Sequence, residues 1–240
     1  MKQVVFENYY ELSAYTAKQI AGIILSKPDA LLCFPAGETS KGTFEELIRL
    51  NTEGRVSFSR CRIVGLDEWL NLGDMMKENC FSFLKKHLFD HIDYSPANMC
   101  FFDGESENPE QECIKTDKFI RKYGPVDMIL LGAGMNGHLG LNEPGTPFSL
   151  YSHIVDMDEV TRKVGQKYFS GPVKLGRGIT MGIRHILEAK TPILQISGKK
   201  KAEVVSRLIQ SEVTESFPAS ALKSHSDSFL LIDREAARLL

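Results

Sequence analysis

The chain has 240 residues, ordinary hydrophobic and charged fractions (42% and 25%) and a formal net charge of −2. That length supports one substantial core and leaves little room for two enzymatic domains, so a single domain over 1–240 is expected. The faintly acidic balance argues against nucleic acid as the main partner, since phosphate-backbone binding needs a basic excess, while a local cationic pocket for one small anion stays open.

The N-terminus, "MKQVVFENYY", has no apolar stretch of signal-peptide length, and no later run could span a bilayer, so no membrane partner is expected. An amphipathic pattern over 11–26 predicts a helix, the apolar run 30–34 ("ALLCF") a strand, and 42–50 a second helix. "RIVGL" (62–66) reads as a strand and is followed by helical patterns at 79–91 and 109–123. "DMILLG" (127–132), "ILQIS" (193–197) and "SFLLI" (228–232) read as further strands, the last two running straight into the helical "KKKAEVVSRLI" and "REAARLL". Short apolar strands alternating with helices imply an α/β fold, a three-layer αβα sandwich on a mostly parallel, Rossmann-like sheet. The five cysteines (Cys33, Cys61, Cys80, Cys100, Cys113) are scattered, odd in number and never in a C-x-x-C pair. Cys33 lies inside a strand run, so reduced, buried thiols and a cytoplasmic protein are expected.

In such folds ligands bind beyond the carboxyl ends of the strands. Past 30–34 comes "PAGETSKGT", past 62–66 come Asp67 and Glu68, past 127–132 comes "GAGMNGHLGLNEPG", and past 193–197 comes "GKKK". The third of these has G-x-G-x-x-G spacing, with Asp156 and Asp158 at about the distance of a ribose-binding acid. A dinucleotide fingerprint needs its third glycine to enter a helix, however. Gly140, Asn142, Pro144, Gly145 and Pro147 forbid a regular helix there, so no NAD or FAD is expected. His138 and Glu143 instead share one constrained loop, where a carboxylate could orient or tune an imidazole. Asp67 stands at the end of another strand. By themselves these residues leave an acid–base site level with a plain loop carrying a surface histidine.

"FPAGETSKGT" joins a strand to a helix through Gly37, Thr39, Ser40 and Gly42, which would let backbone approach an anion at a helix start; it is not a Walker A loop. Lys199, Lys200 and Lys201 at the start of another helix oppose its dipole unless an anion binds. Two anion-friendly strand ends favour a phosphorylated small molecule. His87 and His91 are spaced i, i+4 as two zinc ligands could be, but no Glu follows the first, and no metal is expected.

Over essentially its whole length the chain resembles the glucosamine-6-phosphate deaminase/isomerase family. The resemblance rests on "LDEW" (66–69), "GAGMNGHLGLNEPG" (132–145), "GITMGI" (178–183), and "FPAS" (217–220) near "SHSD" (224–227). It implies cofactor-free conversion of a 2-amino-2-deoxyhexose 6-phosphate to a ketose 6-phosphate plus ammonia. His138 matches the base that opens the sugar ring, Asn136 and Glu143 the positions that support it, and Asp67 the base that moves a proton from C2 to C1. Gly37, Thr39, Lys167 and Lys201 match the family's phosphate contacts. Three departures stand out: Asn136 where Asp is common, Ala36 and Glu38 in the phosphate loop, and Lys167 where an arginine fork is common. At the positions of the family's N-acetylglucosamine 6-phosphate effector site stand His153 and Val155, neither of them Lys or Arg, so no such activation is expected.

Trp69, "GHLGLNEPG" and "RGIT" (177–180) lean slightly toward the galactosamine-6-phosphate branch, while "FPASAL" and "LIDREAA" resemble the glucosamine enzymes. Two alternatives share the architecture. A 6-phosphogluconolactonase would continue toward S-L-F-P where this chain has Leu141-Asn142-Glu143-Pro144, and a non-catalytic sugar-phosphate sensor could dispense with Asp67, His138 and Glu143. Residues 148–176 are a candidate lid. A homo-oligomer is left open.

Overall fold

The computed structural model describes all residues 1–240. In chain order the strands and α-helices are β1 (Lys2–Phe6), α1 (Tyr9–Ser26), β2 (Leu31–Phe34), α2 (Lys41–Thr52), β3 (Arg62–Gly65), β4 (Asp67–Trp69), α3 (Cys80–His87), β5 (Met99–Cys100) and α4 (Pro109–Tyr123). They continue with β6 (Met128–Leu131), β7 (His153–Asp156), α5 (Glu159–Gly165), β8 (Arg177–Thr180), α6 (Ile183–Glu188), β9 (Pro192–Ile196), α7 (Ala202–Gln210), β10 (Phe229–Asp233) and α8 (Arg234–Ala237). Several helices begin where a short polar side chain caps free N–H groups: Asn8 accepts from Glu11 N, Asn79 from Ser82 N and Asn108 from Gln111 N, the last with Pro109 in the first turn.

Seven strands form one sheet in the order β1-β10-β9-β6-β2-β3-β5, with every neighbouring pair parallel. The continuous apolar runs follow from burial on both faces. Leu31, Cys33, Leu131, Leu194 and Ile232 pack on one side with Ile120 of α4, Ile186 of α6 and Val205 of α7. Leu32, Phe34, Met128, Leu130 and Leu231 pack on the other with Leu12 and Ile20 of α1, Phe44 of α2 and Leu84 of α3. The three-layer sandwich expected from the sequence is therefore present. All five cysteines are free and Cys33 is fully buried. No helix is long and apolar enough to cross a membrane.

Three features differ from the sequence-based expectation. A second, antiparallel sheet, β4-β8-β7, stands at the carboxyl end of the first. Its strands escaped notice because "DEW" carries two carboxylates, and "RGIT" opens on Arg-Gly instead of an apolar run. The helix predicted over 79–91 stops at His87, and His91 falls in a separate 3-10 turn, so the two histidines do not share one helix. The lysines of "GKKK" occupy a 3-10 turn ahead of α7 rather than the helix itself. Residues 148–176 contribute β7 to the second sheet, and their Met157, Phe169 and Leu175 join Trp69, Leu72 and Leu141 in a small core of their own.

Candidate active site

A cleft of about 230 Å³ opens at the carboxyl ends of β2, β3, β6 and β9, between the loops that extend from them and α5. Gly37, Thr39, Asp67, His138, Lys167 and Lys201 all line it. Asn136 and Glu143 do not; they stand behind His138, with Glu143 almost fully buried.

The loop after β6 is built around the imidazole. Gly134 lies against the His138 ring, where an added Cβ would sit 2.2 Å from Cε1, so only glycine fits. Gly137, Gly140 and Gly145 take positive φ values of 89°, 58° and 92°, the left-handed turns that kept this stretch from becoming a helix. Asn136 Nδ2 donates to Glu143 Oε2 at 2.8 Å and to Asp158 Oδ1 at 3.3 Å, while its carbonyl accepts from His138 N at 3.2 Å. Glu143 Oε2 is 3.5 Å from His138 Nδ1, and Thr161 Oγ1 is 3.0 Å from the same nitrogen. Burial alone would raise the Glu143 carboxyl, but the neighbouring His138, Thr161 and Asn136 hold it below the usual range.

Asp67 enters from β4, across the cleft. Its Oδ2 lies 3.3 Å from the position a Cβ on Gly140 would take, so the loop's tight turn leaves room for the carboxylate. Burial pushes the Asp67 carboxyl up to about 6, against the pull of the Cys80 thiol and of His138. Behind it, Glu68 is buried and accepts from Trp69 N, Cys80 N and Phe81 N at 2.8, 3.0 and 3.1 Å, which ties β4 to the start of α3. Burial lifts Glu68 to about 7 despite those three donors. A carboxylate that titrates near neutrality beside an imidazole is a pair suited to moving protons.

The cleft also carries two cations, Lys167 and Lys201. Lys201 Nζ donates to Ala133 O at 2.5 Å, and burial together with Lys167 pushes the amine down to about 8. Two ammonium groups that repel each other in a cleft call for an anion between them. Facing them is the loop 35–40, where a Cβ on Gly37 would meet no atom within 4 Å. The Thr39 carbonyl is fixed by Tyr9 Oη at 3.0 Å and Gln195 Nε2 at 3.2 Å, and Gln195 is itself held by Thr43 Oγ1 at 2.9 Å. Glu38 does not oppose the anion: its carboxylate is exposed and pairs with Lys41 at 2.8 Å. Lys199 and Lys200 are exposed and Lys201 alone of the three lines the cleft.

Thr161, Asp158, Glu68, Tyr9 and Gln195 did not emerge as site residues from the sequence. Glu68 stood beside Asp67, and Asp158 was weighed only as a ribose-binding acid; the other three carry no local signal, because each reaches the site from a different element.

A sequence model of the family described as glucosamine-6-phosphate isomerases/6-phosphogluconolactonase matches residues 7–231. A glucosamine-6-phosphate deaminase of Bacillus pumilus is 43% identical over 240 residues, covering 100% of both chains. Glucosamine-6-phosphate deaminase 1 of Bacillus subtilis is 41% identical, covering 100% of this chain and 99% of its own. Among solved structures, one described as a monomeric glucosamine-6-phosphate deaminase superposes with a TM-score of 0.95 at 40% identity, each chain covered completely. A 6-phosphogluconolactonase of Trypanosoma brucei superposes at 0.79 with only 18% identity, a likeness of fold alone. By a match over nearly its whole length, the chain belongs to the glucosamine-6-phosphate isomerase/6-phosphogluconolactonase family.

Proposed function

We propose that the protein is an amino-sugar-phosphate deaminase that converts glucosamine 6-phosphate and water into fructose 6-phosphate and ammonia. The observation that carries this reading is one cleft holding His138, Asp67 and the paired cations Lys167 and Lys201. Lys201, Lys167 and the 35–40 loop bind the phosphate and so hold the sugar in register with both bases, which removes much of the entropic cost of reaction. His138 takes the proton of the anomeric hydroxyl while the ring oxygen is protonated, and the pyranose opens to an aldehyde. Asp67 then removes the proton on C2 and a proton is delivered to C1, giving an imine at C2. Water adds to that carbon and ammonia leaves, so the ketone forms with atoms balanced. Asn136 and Glu143 act through His138. No step calls on a cofactor or a metal.

The names of the relatives support the gluco epimer over the slight galacto preference drawn from Trp69, "GHLGLNEPG" and "RGIT". There is a physical reason to discount that preference. Trp69 and Leu141 share the small core below residues 148–176, Trp69 pairs with Gly178, and a Cβ on Gly178 would strike Leu141 at 2.4 Å. Trp69 and Leu141 also line the cleft, but their identity is constrained by this mutual packing as well as by any sugar hydroxyl. Residues 148–176 serve as a cover whose closure excludes water, a role supported by Val160, Val164, Lys167 and Tyr168 along one wall of the cleft.

The test is ammonia release by purified protein with glucosamine 6-phosphate and galactosamine 6-phosphate assayed side by side. Release with the larger kcat/KM on the gluco sugar bears the proposal out. A larger value on the galacto sugar reverses the epimer. No ammonia from either, with hydrolysis of a 6-phosphogluconolactone, overturns the reading in favour of the lactonase.

A further inference from the structure

The carboxylate expected to orient His138 is not its nearest partner. Glu143 Oε2 stands 3.5 Å from Nδ1, beyond ordinary hydrogen-bond length, whereas Thr161 Oγ1 stands at 3.0 Å. Thr161 is only 5% exposed and lies on α5, outside the His138 loop. The end of α5 that carries it is itself tied to the loop, since Glu143 Oε1 accepts from Asp158 N at 3.4 Å and Asp158 Oδ1 accepts from Asn136 Nδ2 at 3.3 Å.

We propose that Thr161 is a positioning residue that fixes the orientation and tautomer of His138 through the hydrogen bond between its hydroxyl and His138 Nδ1. The direction is set by what each group can do. An ionised carboxylate only accepts, and an amide nitrogen such as Asn136 Nδ2 only donates. Glu143 therefore receives from Asn136, and its Oε2 turns negative charge toward His138 Nδ1 at 3.5 Å. That charge favours a proton on Nδ1, which the Thr161 oxygen then accepts. The unprotonated Nε2 is then the base available on the side of the cleft that His138 lines. Gly134 under the ring keeps it in that orientation. This also gives the start of α5 a second task. It completes the acid–base apparatus, so a movement of residues 148–176 that withdrew Thr161 would release the tautomer as it opened the cleft.

The inference rests on His138 being the ring-opening base proposed above, and its test separates the two. Thr161→Val keeps the shape and removes the hydroxyl; Thr161→Ser keeps the hydroxyl. Thr161→Val is expected to lower kcat about 10–100-fold, part of the 10²–10⁴ that a positioned acid–base group contributes, with KM little changed. Binding of an open-chain 2-amino-hexitol 6-phosphate, which needs no ring opening, stays at its wild-type strength, and Thr161→Ser recovers most of kcat. A readout independent of turnover is the imidazole ¹⁵N spectrum at a pH where the ring is neutral, with His138 assigned by its loss in His138→Gln. The wild type is expected to show the Nδ1–H form and Thr161→Val a mixture of tautomers. An unchanged kcat and an unchanged His138 spectrum in Thr161→Val overturn the proposal, as does equal impairment by Val and Ser. A wild type that releases no ammonia yet shows the Nδ1–H form lost in Thr161→Val overturns the functional reading and leaves the positioning role standing.

Discussion

Asp67 works in the cleft at a cost to the fold, and replacing it should separate activity from stability. Burial raises its carboxyl from 3.8 to about 6, a shift of about two pKa units, each worth about 1.36 kcal/mol. Held ionised at neutral pH, Asp67 thus costs the folded state up to about 3 kcal/mol; because the group is partly exposed, about 1–3 kcal/mol is the fair range. The sign comes from proton binding. The folded protein holds this proton more tightly than the unfolded chain, so the stability due to Asp67 is full below pH 3.8, falls as pH rises toward 6, and stays low above that. Asparagine cannot ionise, and Asp67→Asn is therefore expected to melt above the wild type at pH 7 while losing activity. For a chain of this size each kcal/mol moves Tm by about 2–4 °C. Thermal melts of both proteins between pH 4 and 8 provide the assay, and the gap should close toward pH 4. A variant that melts below the wild type at pH 7, or a gap that persists unchanged at pH 4, would refute the reasoning.

Three other residues, Lys201, Gly134 and Asp127, lead to further outcomes. Lys201→Met is expected to raise KM for the sugar phosphate about 10–100-fold with kcat less affected, the worth of a charged hydrogen bond of about 1.5–3 kcal/mol. Since burial and Lys167 push Lys201 down to about 8, KM of the wild type should climb as pH passes that value and the amine loses its charge; steady-state kinetics from pH 7 to 9.5 check both. Gly134→Ala places a methyl 2.2 Å from His138 Cε1 and should cut kcat by about 10²-fold through displacement of the ring, with circular dichroism unchanged. Asp127 anchors β6 at the opposite end of the sheet, its carboxylate 4% exposed and bonded to Lys27, Lys190 and Leu31 N at 2.7, 2.8 and 2.8 Å. Asp127→Asn is expected to lose about 2–3 kcal/mol in urea unfolding. Burial would raise this carboxyl, but the two lysines and the Leu31 amide hold it low, so its contribution is full at neutral pH and lost only as pH falls through that depressed value.

The strands that build the large sheet were legible because residues such as Leu31 through Phe34 are buried on both faces and admit no polar side chain. β4 and β8 were not, since one is three residues long with two carboxylates and the other opens on Arg-Gly. The site divides along the same line. Asp67, His138 and Gly37 could be found among the residues just past each apolar run, because the parallel sheet brings those ends together. Thr161 could not, for it sits on a seven-residue helix with no strong apolar pattern and meets His138 only in three dimensions. Glu38 posed the reverse problem: beside a phosphate loop it looked hostile, and the ion pair with Lys41 that neutralises it depends on a turn whose geometry the sequence did not disclose.

The most direct test of Asp67 as the base at C2 is exchange of that proton. Wild type and Asp67→Asn would be incubated with glucosamine 6-phosphate in deuterated water and the C2 and C1 positions tracked by NMR, with sugar-phosphate binding measured in parallel. The account predicts deuterium in the wild-type products and none from the variant, whose binding persists. Undiminished exchange in Asp67→Asn would contradict it.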